Sequence, residues 1–365
     1  MSGIRPDRFD YDGYNRKTEA IIARTTPFAT GKTRDFLPVL QWTLGDVFGV
    51  DCRYKEQMLE LQLGGIARTL QTDTDWVPYL EPWHGVGVFA EGFGCPFEWR
   101  NDDAPWTRPI VSNIDQLRAL KKPKIEDCRM LQYVLDTIRY FDKATGGQIY
   151  IASTDTQSTV DTATLILDTT FFFYAAHDYP EELHRVLSDI TDIMIEFTIL
   201  QRQCMTLPAT PGHNSWAHPT WPGLGLSEDV LYMVGPDFFE EFARPYNERI
   251  AKALGGVVIH SCGDWRQNYG AVRRVNGLVC VDLAIHRDID PNPSDPEVVR
   301  DGLRGSTFPV KVRTRGGSVD LLDKLYAPDL RLMWEVSWAD DPAVRQNYYD
   351  SAKRRFEQLA ARAAV

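Results

Sequence analysis

Apolar positions recur at helical spacing through the middle of the chain, then gather into short buried-looking runs toward its end. In "IEDCRMLQYVLDTIRYFDKATGG", Met130, Leu131, Val134, Leu135, Ile138 and Phe141 share one helical face, and Gly146-Gly147 stop the helix. "QIYIAST" then alternates as a strand. In "DYPEELHRVLSDITDIMIEFTILQRQ", Asp178 is placed to cap a helix and Pro180 suits its first turn. Its stripe is Leu183, Leu187, Ile190, Met194 and Phe197. "GPDFFEEFARPYNERIAKALGG" repeats the design, opened by Pro236 and closed by Gly255-Gly256. Strands then alternate with helices: 257–260 with 266–275, 277–283 with 295–303, 308–313 with 317–326, and 331–337 with 342–363. Successive β-then-α units require parallel strands covered by helices. With the upstream strands, the pattern predicts an α/β fold, a (β/α)8 TIM-like barrel, with an open doubly wound sheet as the alternative. The first 110 residues are irregular and rich in Trp, Pro and Gly, so residues 1–80 read as an extension packing on a barrel domain of 81–365. In either architecture, function gathers at the C-terminal ends of the strands.

Composition narrows the field. The 365 residues are 43% hydrophobic, enough for a sizeable core. A formal net charge of -11, with no basic run interleaved with aromatics, argues against nucleic acid as a partner. The most apolar stretch, near "LILDTTFFFYAA", is too short and too polar to span a membrane. The N-terminus is charged throughout and unlike a secretory signal. A soluble, cytoplasmic protein with reduced thiols is the expectation, since its six cysteines are dilute and unpatterned. Two motif-like stretches fail on context. "GVGVFA" (85–90) lacks a preceding strand, and "TGKT" (30–33) has Thr26 where a phosphate-binding loop needs glycine.

The chemistry is sharpest in "GGVVIHSCGDW", where a Val-Val-Ile strand runs into His260 and Cys262. Side chains two apart on a strand point the same way, so imidazole and thiolate can converge on a borderline-soft ion such as Zn²⁺. Packing alone would also place a histidine and a cysteine here. Other strand ends carry Asp155 and Gln157, Cys280 and Asp282, Lys311 and Arg313, and Glu335, with His286 just beyond. Each alone reads as an ion pair or a helix cap, but several at one end of successive strands suggest a site. The long aromatic loop "PGHNSWAHPTWPGLGLSEDV" adds His213, His218 and Asp229, in a stretch of lid-like length.

The segment "LGLSEDVLYMVGPDFFEEFARPYNERIAKALGGVVIHSCGDW" resembles the uroporphyrinogen decarboxylase-like superfamily. "YPEELHRVLSDITDIMIEF" and "FAEGFGCPFEW" are similar to its other segments, and the resemblance covers residues 80 to 360. It implies a β/α barrel. The superfamily joins true decarboxylases, marked by an Arg-rich N-terminal segment missing from this chain, to zinc-dependent, corrinoid-linked methyltransferases. His260 and Cys262 fall on the zinc-binding positions of the methyltransferase branch. That branch adds a cysteine after the last strand, where this chain reads "WEVSWADDP". The resemblance therefore implies a metal site of His260 and Cys262 completed by Cys280 or Asp282, with His286 and Glu335 as further options. Asp155, Asp229 and His218 are expected in catalysis, and Gln157, His213 and Trp265 in cofactor contacts. The expected activity is zinc-assisted methyl transfer to or from a corrinoid protein or a thiol, on a small-molecule substrate. A cofactor-free decarboxylase or lyase, with Lys311 or Arg313 binding the carboxylate, is the alternative. A non-catalytic subunit that docks a corrinoid protein is a third. Dimerisation is common in the family.

Overall fold

In a computed structural model that describes residues 3–42, 53–99, 104–212 and 218–363, short parallel strands ring a buried centre. In chain order they are β1 (Val39–Leu40), β2 (Tyr79–Leu80), β3 (Phe97–Glu98), β4 (Trp106–Thr107), β5 (Tyr150–Ile151), β6 (Leu224–Ser227), β7 (Val257–His260), β8 (Leu278–Ala284), β9 (Val310–Thr314) and β10 (Leu332–Val336). A parallel sheet runs β1-β10-β9-β8-β7-β6, and β2 pairs with β5. Parallel bridges at Gln157↔Ser227 and Ala152↔Thr210 tie the β5 side to β6. On the other side the Asp75 N–H donates to the Val39 carbonyl at 2.8 Å, and the Val39 N–H donates to the Asp75 carboxylate at 2.9 Å. These contacts close a (β/α)8 barrel, with β3 and β4 as an antiparallel hairpin outside it.

The barrel places its strands and helices close to the sequence expectation from residue 129 onward. The helix Pro180–Gln203 buries Leu183, Leu187, Ile190, Met194 and Phe197, as its stripe predicts. Burial of each such side chain stabilises by roughly 1.5–3 kcal/mol. Strand β7 is buried at every position, because helices cover the outer face and neighbouring strands the inner one. Gly223, at φ +102, lets the chain enter β6 hard against β7. A Cβ there would lie 2.1 Å from the Gly256 carbonyl oxygen.

The N-terminal segment contributes to the sheet: Val39 and Leu40 pair in parallel with Trp334 and Glu335. A two-residue strand cannot show the alternation that marks longer ones. The helix Tyr11–Ala29 plugs the barrel floor. Tyr14 Oη donates to the Pro78 carbonyl at 2.9 Å, Trp221 Nε1 donates to the Ala29 carbonyl at 3.0 Å, and Arg331 donates to the Phe28 carbonyl. Residues 78, 221 and 331 all precede strands, which leaves the opposite, C-terminal end as the open mouth. Among the described residues, no helix is long and apolar enough to cross a membrane.

Candidate functional site

His260 is the last residue of β7, and Ser227 of β6 is its register partner. The chain leaving β6 stays close, because the Glu228 N–H donates to the His260 carbonyl at 2.7 Å. That contact sets the next residue, Asp229, beside His260. Past His260 the backbone turns at Gly263 (φ +74), whose N–H donates to Asp290 Oδ2 at 2.7 Å. Cys262, just before the turn, donates its N–H to Asp229 Oδ1 at 2.7 Å. The result is a cluster of three ligand types. Cys262 Sγ lies 3.6 Å from His260 Nε2, and Asp229 Oδ1 lies 3.8 Å from the same nitrogen. One donor atom from each residue falls within 4.8 Å of the others.

A buried charge network orients the imidazole. His260 Nδ1 bonds the Asp282 carboxylate, which can only accept, so Nδ1 carries the proton and Nε2 presents its lone pair to the cluster. Asp282 also lies 2.9 Å from Lys311 Nζ and 3.0 Å from Arg313 Nε. Lys311 Nζ reaches Glu335 Oε2 at 2.7 Å. Burial alone pushes the Asp282 carboxyl up, but Lys311, Arg313 and His260 outweigh it and hold the group well below the usual carboxylate range. Burial pushes the Cys262 thiol up to about 11, with Asp229 adding and Arg313 opposing. Such a thiol becomes a ligand by exchanging its proton for a cation.

Behind Asp229 lie two more carboxyls. Asp161 accepts from Ser158 Oγ at 2.8 Å and from the Val230 N–H at 3.2 Å, and burial pushes it well up, with Glu228 and Asp229 adding. Burial also pushes Glu228 up to about 7, against the Asn247 amide that donates to it at 2.5 Å. In front of the cluster opens a cavity of about 540 Å³. Trp42 and Trp83 form apolar wall, and Asp155, Gln157, Arg313 and Glu335 supply polar groups. Asp155 Oδ2 accepts from Trp83 Nε1 at 2.9 Å, and Gln157 Nε2 approaches Asp155 Oδ1 at 3.4 Å.

The mouth thus gathers Asp155, Gln157, Asp229, His260, Cys262 and Arg313. Other expected members lie elsewhere. Cys280 points inward like Asp282 but one layer deeper, since two residues along a strand advance it by roughly 6.6 Å. It is fully buried, donates to the Val281 carbonyl at 3.3 Å, and is not in the donor cluster. Asp282 serves His260 through Nδ1 and stands outside the cluster. His218 does not reach the mouth. It precedes β6, so it sits at the floor beside the N-terminal helix, where burial lowers its pKa to about 4, opposed by a contact with the Ile22 backbone. Trp265 is buried edge-on against Tyr269 with centroids 4.6 Å apart, and is not on the cavity wall. His213 lies outside the described residues. The sequence points to Asp229 as a catalytic acid rather than a ligand. Its position two residues past a strand end was the available signal, hidden because "LGLS" reads as loop.

A family model for uroporphyrinogen decarboxylase (URO-D) matches residues 52–206, a stretch that ends before β6. A solved structure, a methyltransferase from Methanosarcina mazei, superposes at a TM-score of 0.64 with 14% identity, covering 93% of this chain and 99% of its own. At that identity the likeness speaks for the barrel. No curated protein matches.

Proposed function

We propose that this chain, a member of the uroporphyrinogen decarboxylase-like superfamily, is a metal-assisted methyltransferase whose zinc site is Asp229, His260 and Cys262. The donor spacing carries the reading. Zn–S near 2.3 Å and Zn–N or Zn–O near 2.0 Å put tetrahedral ligands about 3.3–3.6 Å apart. The Cys262–His260 separation of 3.6 Å and the Asp229–His260 separation of 3.8 Å come close to those edges. Bound by these three residues beside the cavity, zinc would keep a position for a ligand from the cavity, as catalytic rather than structural zinc does. When bound, zinc supplies Lewis acidity that lowers the pKa of a thiol or hydroxyl acceptor.

The chain's own residues do the rest. Asp282 fixes the His260 ring, and Lys311 and Arg313 keep Asp282 ionised for that task. Asp155, steadied by Trp83, faces the cavity and orients or protonates the reacting group. Trp42 and Trp83 exclude water around an apolar methyl group. Exchanging a cysteine ligand for Asp229 makes the site harder, and so suited to an oxygen-bearing partner as well as a thiol. A corrinoid protein at the mouth is the proposed methyl partner. A decarboxylase reading draws on Arg313, the cation that faces the cavity while Lys311 is held between Asp282 and Glu335.

Metal analysis tests the proposal. Purified wild type is expected to carry close to one zinc per chain, and His260→Ala, Cys262→Ala and Asp229→Ala each to lose most of it. Equal zinc in all four proteins would sink the metal site. Activity that survives chelation, with CO₂ released from a carboxylated substrate, would favour the decarboxylase reading instead.

A further inference from the structure

A second cavity, of about 410 Å³, opens on the same side of the barrel. Arg53 and Tyr54 line it just before the helix Lys55–Thr69, and Arg129 and Tyr133 line it from the first turns of the helix Arg129–Ala144. Helices between parallel strands run antiparallel to them, so both helix starts lie at the mouth end. Trp99 completes the wall. The two cavities are neighbours. Trp83 lines the central one, while the next residue, His84, packs against Tyr133 and Trp99 with centroids 4.7 and 6.5 Å away.

The lining combines flat rings with cations. The Arg53 guanidinium lies 5.6 Å from the Tyr54 ring and 5.9 Å from the Trp99 ring. Among the described residues it has no carboxylate within ion-pair distance. Lys55 Nζ stands 6.0 Å from the Tyr133 ring and 5.7 Å from the Tyr140 ring. Arg129 Nε reaches Glu91 at 3.3 Å and is more than half exposed. The one carboxylate on the wall, Asp136, is paired with Arg139 at 3.0 Å. Two cations, Arg53 and Lys55, therefore lie against aromatic rings, and a third, Arg129, lines the same cavity, on a chain whose net charge is -11. Guanidinium groups match phosphate with two parallel hydrogen bonds, and ring faces accept planar heterocycles at little entropic cost.

We infer that this rim cavity binds a phosphorylated planar ring, a ligand of nucleotide type, with Arg53 and Arg129 on the phosphate and Trp99 and Tyr133 on the ring. The sequence shows no basic, aromatic run because the parts come from three separated segments, 53–55, 99 and 129–140. The inference is independent of the metal site.

Calorimetric titration of the full chain with adenosine 5′-monophosphate, adenosine and inorganic phosphate tests it. The monophosphate is expected to bind at least about tenfold tighter than either part, a difference near 1.4 kcal/mol. Arg53→Ala and Trp99→Leu are each expected to weaken it by about tenfold, and Arg53→Lys by less, because the charge stays while the planar fork goes. His260→Ala, which addresses the metal site, is expected to leave the affinity unchanged. The inference is overturned if the monophosphate does not bind, if adenosine binds as tightly, or if binding survives both Arg53→Ala and Trp99→Leu. Loss of binding in His260→Ala alone would place the ligand at the metal site and overturn it equally. Circular dichroism of each variant confirms that the fold is intact.

Discussion

Asp282→Asn is expected to destabilise the fold by about 3–5 kcal/mol, the range for breaking a buried ion pair from one side. The side chain is fully buried and faces His260, Lys311 and Arg313. Asparagine keeps the shape and removes the charge. Lys311 then keeps its ion pair with Glu335 but loses the one with Asp282, and Arg313 loses the same counter-charge. Urea unfolding at pH 7.5 measures the loss, and a cost below about 1 kcal/mol would contradict the network described above. A double-mutant cycle sharpens the test. Asp282→Asn with Lys311→Met restores charge balance, so the pair is expected to cost less than the sum of the single changes. The zinc affinity of Asp282→Asn is expected to fall by roughly 10- to 100-fold, the usual effect of removing a histidine's outer partner.

Glu228→Gln is expected to stabilise the protein increasingly as pH rises. The folded-state value of about 7 lies above the roughly 4.3 of an unfolded glutamate. A group raised on folding contributes fully below its unfolded value and loses that contribution as pH climbs through its folded value. The loss amounts to roughly 3 kcal/mol across that window. Glutamine cannot ionise, and its carbonyl can still accept from Asn247. Chemical unfolding of both proteins from pH 5 to pH 8 should therefore show the variant gaining about 2–3 kcal/mol over wild type. Parallel stability curves would mean that Glu228 does not hold its proton in the folded state.

The sequence exposed what repeats over many residues and hid what does not. The β/α units from 257 onward were legible because each strand is a short stretch rich in Val, Leu or Ile set between helical stretches. Strands β1, β2 and β5 span two residues each, too few for periodicity, and β6 is broken by Gly225. His260 and Cys262 were legible because they end the clearest strand. Asp229 was not matched to them because register, not spacing along the chain, brings Ser227 level with His260. Cys280 was expected beside them because side-chain direction can be read from alternation. Depth cannot, and one layer was enough to separate it from the cluster. His218 was misplaced because a loop residue before a strand belongs to the floor unless the loop climbs the barrel.

Asp229 and His260 also differ in how firmly they are built in. His260 is 6% exposed and locked by β8 and β9, whereas Asp229 is 40% exposed on a short 3-10 turn. Ligand hardness and barrel stability therefore answer to different residues. A change at 229 to cysteine would convert an N/O/S donor set to a thiolate-rich one without disturbing the strand network. In the proposed metal site the frame is fixed and the third donor is adjustable, so the metal preference we propose would be retuned by a single side chain.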